Sequence, residues 1–214
     1  MSDRLKAWIA WSLMLGVAAW AFVFFRATYN HDRRLRVVEP GKYYRCGQLT
    51  ADGFREAVRR YNIRTIVNVQ DDVPDPKMPN GTFKRGKINE IELCKELGVR
   101  YVWLAPDLVH PEHHRNGARP AVIEQFLRVC DDPSVYPILL HCKAGLHRTG
   151  ILSAIYRMEY NGWSRESAFR ELRAHGFGDW ACTADNEYIT QYVLSYTPRP
   201  RRSAASVALD HPAN

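Results

Sequence analysis

Five cysteines in 214 residues are too few for a disulfide scaffold, and their odd number leaves at least one free thiol in a monomer. A reactive or buried thiol is expected instead. The chain shows no internal repeat, and at 46% hydrophobic and 25% charged residues it is neither low-complexity, collagenous nor wholly disordered. It has no GK[ST] triplet, which excludes a nucleotide-binding P-loop of that type. The net charge of +7 is largely absent from the middle of the chain. Residues 1–36 hold six basic and two acidic side chains, residues 197–214 hold three and one, and the segment between keeps a net +1. A nucleic-acid binder concentrates its basic residues on a folded face, so this distribution argues against nucleic acid and for membrane proximity.

Charge is also missing from Trp8 to Phe25 (WIAWSLMLGVAAWAFVFF), an 18-residue apolar run. As a helix it reaches about 27 Å, close to the lower limit for crossing hydrocarbon. Trp8, Trp11, Trp20 and Tyr29 suit interfacial aromatic positions, although Trp20 falls inside the run. Ala19 and Ala21 form an A-x-A site, but Phe22 to Phe25 continue the apolar run past it, which favours a retained anchor over a cleaved signal. Two Lys/Arg precede the run and four follow shortly, so the positive-inside tendency leans toward a cytoplasmic catalytic portion. The resulting division is residues 1–36 as a membrane anchor (helix about 8–25) and basic linker, 37–196 as a folded domain, and 197–214 as a disordered tail with Pro198, Pro200 and Pro212.

Within the domain, strand-like and helix-like segments alternate. Strands are expected at Tyr43–Cys46, Arg64–Val69, Arg100–Leu104 and Pro137–His141. Helices are expected from Thr50 or Asp52 to Tyr61, over Lys87–Leu97 up to Gly98, and over Pro120–Cys130, Thr149–Tyr160, Ser164–Ala174 and Asp185–Tyr196. The Pro-rich stretch Asp71–Gly86 reads as loop. Strands separated by helices require crossovers, hence an α/β domain with a mainly parallel central sheet flanked by helices. Ligands bind outside the carboxyl ends of such strands, where the loops beginning at Gln70, Ala105 and Cys142 converge.

The third of these loops reads HCKAGLHRTG, from His141 to Gly150. Five residues separate Cys142 from Arg148, enough for a tight loop whose amides point inward and whose end is the positive terminus of the next helix. Lys143, Ala144, Gly145, Leu146, His147 and Arg148 would form this anion cradle, with Gly145 and Gly150 allowing close backbone approach and the Arg148 fork gripping two oxygens. The same field favours a thiolate at Cys142.

His141, Cys142, Gly145, Arg148, Thr149 and Gly150 resemble the HCx5R[ST]G signature of the cysteine-based phosphatases, specifically their small dual-specificity branch. The upstream YYRCGQLT and IRTIVNV segments are similar to bacterial members, with Cys46 where Ser is common. The resemblance covers roughly residues 38–195. It implies a dual-specificity phosphatase-like fold and a phosphocysteine intermediate on Cys142. Arg148 and the loop amides would bind the equatorial oxygens, Thr149 would assist the departing sulfur, and His141 would orient the loop; no metal and no cofactor are implied. Asp107, which follows a strand and stands 35 residues before Cys142, is the expected general acid, with Asp71, Asp72 and Glu112 in reserve.

Short length and the lack of a WPD segment favour dual specificity over strict phosphotyrosine selectivity. A phosphoprotein substrate ranks first. A phosphoinositide or other phospholipid ranks second, since KAG after Cys142 resembles phosphatase-and-tensin-type loops, although Leu146 replaces their second lysine; HRTG is also similar to inositol-pyrophosphate phosphatases. An inactive phosphate-binding module at the membrane is the reading from a different class. His110, His113 and His114 read as a solvated loop rather than a metal site, and Cys46, Cys94, Cys130 and Cys182 as packing thiols, with a protective Cys46–Cys142 disulfide as a further option. No residue pattern signals an oligomer.

Overall fold

The computed structural model describes residues 2–108, 119–178 and 187–200, so Glu112, the histidines 110, 113 and 114, Trp180, Cys182 and the tail beyond Pro200 lie outside the described residues. The apolar run is the centre of a longer helix, α1 (Asp3–Asp32), whose N-cap Ser2 accepts from the Leu5 amide. Its apolar side chains face outward all round, with Trp8 73% and Phe25 61% exposed. The segment Asp3–Tyr29 is long and apolar enough to cross a membrane. The helix runs past the expected end near residue 25, and its end is bound to the domain: the Arg33 carbonyl, just after α1, accepts from the Gly47 amide at 2.7 Å, and His31 Nε2 lies 2.9 Å from the Glu56 carboxylate.

The domain then runs β1 (Arg36–Glu39), β2 (Tyr43–Gly47), α2 (Ala51–Tyr61), β3 (Thr65–Asn68), β4 (Lys77–Pro79), β5 (Lys87–Asn89), α3 (Glu90–Leu97), β6 (Arg100–Trp103), α4 (Ala121–Asp131), β7 (Ile138–Cys142), α5 (His147–Tyr160), α6 (Arg165–Ala174) and α7 (Gln191–Leu194). The main sheet has the order β1-β2-β7-β3-β6. Strands β2, β7, β3 and β6 are parallel, and β1 adds an antiparallel edge. Strand β7 is central and all five of its residues are buried, as an apolar ILLHC run between two neighbours should be.

Alternate residues of each strand feed two cores. On one face Tyr44, Cys46, Ile66 and Leu139 pack with Phe54 and Ala57 of α2 and Leu93 of α3. On the other, Tyr43, Val67, Leu140 and Cys142 pack with Phe126 of α4 and Ile151 and Ile155 of α5. Each fully buried Leu, Ile or Phe contributes about 1.5–3 kcal/mol. Local chemistry sets the helix ends: Thr50 Oγ1 accepts from the Gly53 amide at 3.1 Å, Ser164 Oγ from Ser167, and Gly98 closes α3 in the left-handed region at φ 66°.

Three expectations need correction. The helix expected from Lys87 starts at Glu90, because Lys87–Asn89 pairs as β5 with β4, inside the stretch read as loop. Met78 is buried at 1% exposure, and that tertiary burial holds β4 in place. Asp75 then accepts from the Ile91 amide at 2.9 Å, which fixes the start of α3. The final helix is only a 3-10 turn, Glu187–Thr190, followed by the single turn α7, with Ser195 Oγ donating back to the Gln191 carbonyl; Asp185 lies outside the described residues. Finally, the fold continues past Tyr196, since Arg199 binds Glu159 at 2.6 Å and Asp131 at 2.7 Å.

Candidate active site

Cys142 ends the central strand at its carboxyl edge, opposite Gly47 of β2 in parallel register, and is 2% exposed. The chain then curls over the sulfur: the Gly145 amide donates to Cys142 Sγ at 3.2 Å. Three contacts pull the loop carbonyls outward. The Gln48 amide donates to the Lys143 carbonyl at 3.1 Å, Arg34 Nη1 to the Ala144 carbonyl at 2.9 Å, and Arg45 Nη2 to the Gly145 carbonyl at 2.8 Å. In a planar trans peptide the C=O and the following N–H point opposite ways. Carbonyls 143, 144 and 145 tied outward therefore turn amides 144, 145 and 146 inward, as the Gly145 contact with the sulfur shows. Gly145 has φ +73°, and a Cβ there would meet Gly47 N at 2.5 Å and Cys46 C at 2.7 Å, so only glycine lets the loop lie against β2.

The loop passes through buried Leu146 into α5, which begins two residues earlier than expected and so holds Arg148 in its first turn. The Arg148 guanidinium is paired with the Asp71 carboxylate, from the loop after β3. A carboxylate thus occupies the fork that a phosphate would take. Burial, and then the nearby Arg34, keep His147 below its ordinary pKa; its ring meets Phe177 edge-on at 5.7 Å. His147 is consequently neutral near pH 7, and the basicity of the cradle comes from Arg148, exposed Lys143 and the two supporting arginines. Burial lowers the pKa of Arg45 as well, but a guanidinium remains charged in proteins.

His141 faces away from the cradle into the α2–α3 core. It is fully buried, edge-on to Phe54 at 5.3 Å, with Nε2 2.6 Å from Glu90 Oε1 in a contact too misaligned for a hydrogen bond. The position suits orienting the loop and not proton transfer. The Thr149 hydroxyl is buried and has no hydrogen-bond partner in this structure. Asp107 is turned toward α4: its Oδ2 accepts from the Ala121 amide at 2.6 Å and its Oδ1 from Val122 at 3.0 Å. Asp72 sits in an exposed left-handed turn at φ 39°.

A Cys46–Cys142 disulfide does not fit this geometry. The two residues sit on neighbouring strands one register step apart, so they project from opposite faces of the sheet into separate cores, whereas a disulfide needs Cβ atoms within about 4.5 Å. Burial, the largest cause, also pushes the Cys46 thiol well above its ordinary pKa.

Sequence reasoning missed Arg34, Arg45 and Gln48 as cradle supports and Glu90 as the neighbour of His141. Arg45 and Gln48 lie in the YYRCGQLT segment that carries the resemblance, which was the available signal. Nothing in the pattern around Arg34 marks it.

The family model described as a DSP-PTPase phosphatase fused to NAD+ kinase matches residues 14–188. A parallel sheet with a cysteine loop at its central strand thus places the protein in a defined class, and the chain belongs to this DSP-PTPase phosphatase family. Dual specificity protein phosphatase TpbA of Pseudomonas aeruginosa (strain UCBPP-PA14) is 46% identical over 43 residues, a match spanning 20% of this chain and 20% of that relative's own length. Two solved structures share the fold. One is the core catalytic domain of the PP-IP phosphatase SIW14 from S. cerevisiae, 19% identical, covering 77% of this chain and 86% of that one at a TM-score of 0.56. The other is a Cys-to-Ser variant of P. aeruginosa TpbA in complex with pTyr, 22% identical, covering 77% and 85% at a TM-score of 0.55.

Proposed function

We propose that this chain is a cysteine-dependent phosphomonoester hydrolase acting on phosphoproteins, with dual specificity toward phosphotyrosine and phosphothreonine or phosphoserine. The observation that carries this reading is the loop closed on Cys142, with inward amides around the sulfur and Arg148 in the following helical turn. Phosphate enters the cradle by displacing Asp71 from Arg148. The Cys142 thiolate attacks phosphorus in line, the S–P bond forms, and the bond to the leaving oxygen breaks as that oxygen takes a proton from Asp107. Asp107 must first leave the α4 amides. Water then attacks the phosphocysteine, giving its proton to Asp107, and the S–P bond breaks with the Thr149 hydroxyl donating to the departing sulfur. The equatorial oxygens stay on the loop amides and Arg148 throughout. The TpbA complex with pTyr supports the choice of substrate.

A second reading, a phosphoinositide or inositol phosphate substrate, is favoured by two observations. The described neighbour SIW14 is a PP-IP phosphatase, and the cradle is tied through Arg34 to the end of the apolar helix. In the proposed arrangement α1 spans a membrane once and, by the excess of Lys/Arg after it, leaves the catalytic domain cytoplasmic. The test is phosphate release without added metal by the full chain in lipid nanodiscs, offered phosphotyrosyl peptide, phosphothreonyl peptide or phosphoinositide, beside Cys142→Ser. Release that disappears in Cys142→Ser is expected, with the peptides preferred. Faster release from phosphoinositide moves the assignment to the lipid. Phosphate-analogue binding that survives in Cys142→Ser, with no release by the wild type, makes the chain a binding module.

A further inference from the structure

The hairpin formed by β4 and β5 has no part in the cradle, yet its tip holds Phe83, 78% exposed and the most exposed large apolar side chain outside α1 among the described residues. Residues 77–88 also carry Lys77, Lys84, Arg85 and Lys87 and no acidic residue. All four basic side chains are exposed. Asp52 pairs with Lys84, and Asp52 and Asp32 line the groove beside Phe83, which leaves Lys77, Arg85 and Lys87 as the hairpin's outward cations; an exposed aromatic with such cations on a short, held loop is a costly surface in water and a suitable one at an anionic lipid interface.

The tip's position relative to α1 points the same way. Thr82 Oγ1 donates to the Ala27 carbonyl at 3.4 Å, and Phe83 lines a groove with Ala27, Thr28, His31 and Asp52. Lys84 Nζ lies 2.9 Å from Asp52 Oδ2, and the Asp52 amide donates to the Asn80 carbonyl at 2.9 Å, so the tip is fastened to α2 as well as to the helix. Ala27 is two residues, about 3 Å of helical rise, beyond Phe25, where the apolar run ends. The tip therefore stands at the depth where α1 passes from hydrocarbon to headgroups.

We propose that residues 77–87 form a second membrane contact, with Phe83 at the boundary between acyl chains and headgroups and Arg85, Lys77 and Lys87 against anionic headgroups. The inference rests on α1 crossing the membrane. Together the helix and the hairpin hold the domain on the bilayer in one orientation. The phosphate cradle shares it, because Arg34 at the end of α1 bonds the Ala144 carbonyl.

Lipid photocrosslinking tests this on the full chain, in nanodiscs of phosphatidylcholine with or without phosphatidylglycerol and a trace of lipid bearing a diazirine in its acyl chain, with adducts mapped by peptide mass spectrometry. Adducts are expected in the peptide spanning residues 8–25 and in the one containing Phe83, with a several-fold gain in the latter on adding phosphatidylglycerol. The paired change Phe83→Ser and Arg85→Ser should remove the hairpin adducts and leave both the α1 adducts and hydrolysis of a soluble aryl phosphate unchanged. Adducts in α1 without any in the hairpin overturn the proposal and spare the anchor. Adducts in neither remove the membrane reading of α1 and the proposal with it.

Discussion

A single methyl group decides whether the cradle closes. At Gly145 an added Cβ would press on Gly47 N and Cys46 C in a backbone conformation that L side chains rarely adopt. Gly145→Ala should therefore cost well over tenfold in kcat/KM and lower the thermal midpoint as well, because the clash is with backbone that cannot yield; unchanged kinetics would mean that the loop does not need this contact. The two nearby carboxylates separate by a different measurement. In the proposed mechanism Asp71, paired with Arg148, competes with phosphate for it, so Asp71→Asn should lower KM several-fold and preserve kcat. Asp107→Asn should leave KM alone and reduce kcat for poor alkyl leaving groups by roughly 10²–10⁴, with much less effect on aryl phosphates. The reverse pattern would make Asp71 the acid. At this scale the Cys142–Arg148 loop was legible, because residue type and spacing mark it. Which aspartate faces Arg148 was not, since that depends on how the loop after β3 folds back over the sheet.

The elements themselves were legible where their ends carry local chemistry. Thr50, Ser164 and Gly98 mark helix boundaries that the structure reproduces, each with its cap. The start of α4 was placed by Pro120, yet the group that satisfies its first amides is Asp107, well back along the chain. Asp107→Ala should thus destabilise the fold by about 0.5–2 kcal/mol, the usual worth of a helix cap, read as a lower thermal midpoint in the same preparation used for kinetics. Loss of turnover without that shift would confine Asp107 to catalysis. The β4–β5 hairpin escaped the sequence because three-residue strands have no usable periodicity, and β4 is held by the burial of Met78.

At the scale of the whole molecule the end of α1 is part of the folded domain. Removing residues 1–26 leaves Arg33 and Arg34 in place and should preserve hydrolysis of a soluble aryl phosphate. Removing residues 1–35 deletes a charge-assisted hydrogen bond to the loop, worth about 1.5–3 kcal/mol, and should lower kcat/KM roughly tenfold or more. Equal activity of the two truncations would show that the cradle stands without the juxtamembrane turn. Stability should carry a second signature at His175, just after α6. Burial, the largest cause, together with Arg45, Arg36 and Arg157, and against Glu171, pushes His175 down from 6.5 to about 4. The unfolded chain then binds the proton more readily, so stability is full above pH 6.5 and falls as pH drops from there toward about 4. His175→Gln should flatten that part of a plot of thermal midpoint against pH, and an unaltered slope would show that His175 does not contribute.

The sequence by itself determined the order of the four parallel strands and of helices α2 to α6, the Cys142–Arg148 loop between an apolar strand and a helix, and the apolar run at the start; the short strands β1, β4 and β5 were not legible. Those properties live in short windows, where periodicity, capping residues and fixed spacing are complete. Only the tertiary structure decided that Cys46 and Cys142 face opposite cores, that Asp71 and not Asp107 lies on Arg148, and that Arg34 and Arg45 tie the loop carbonyls outward. Each of these depends on strand register or on contacts between segments about 77 to 110 residues apart, and no local pattern encodes such distances.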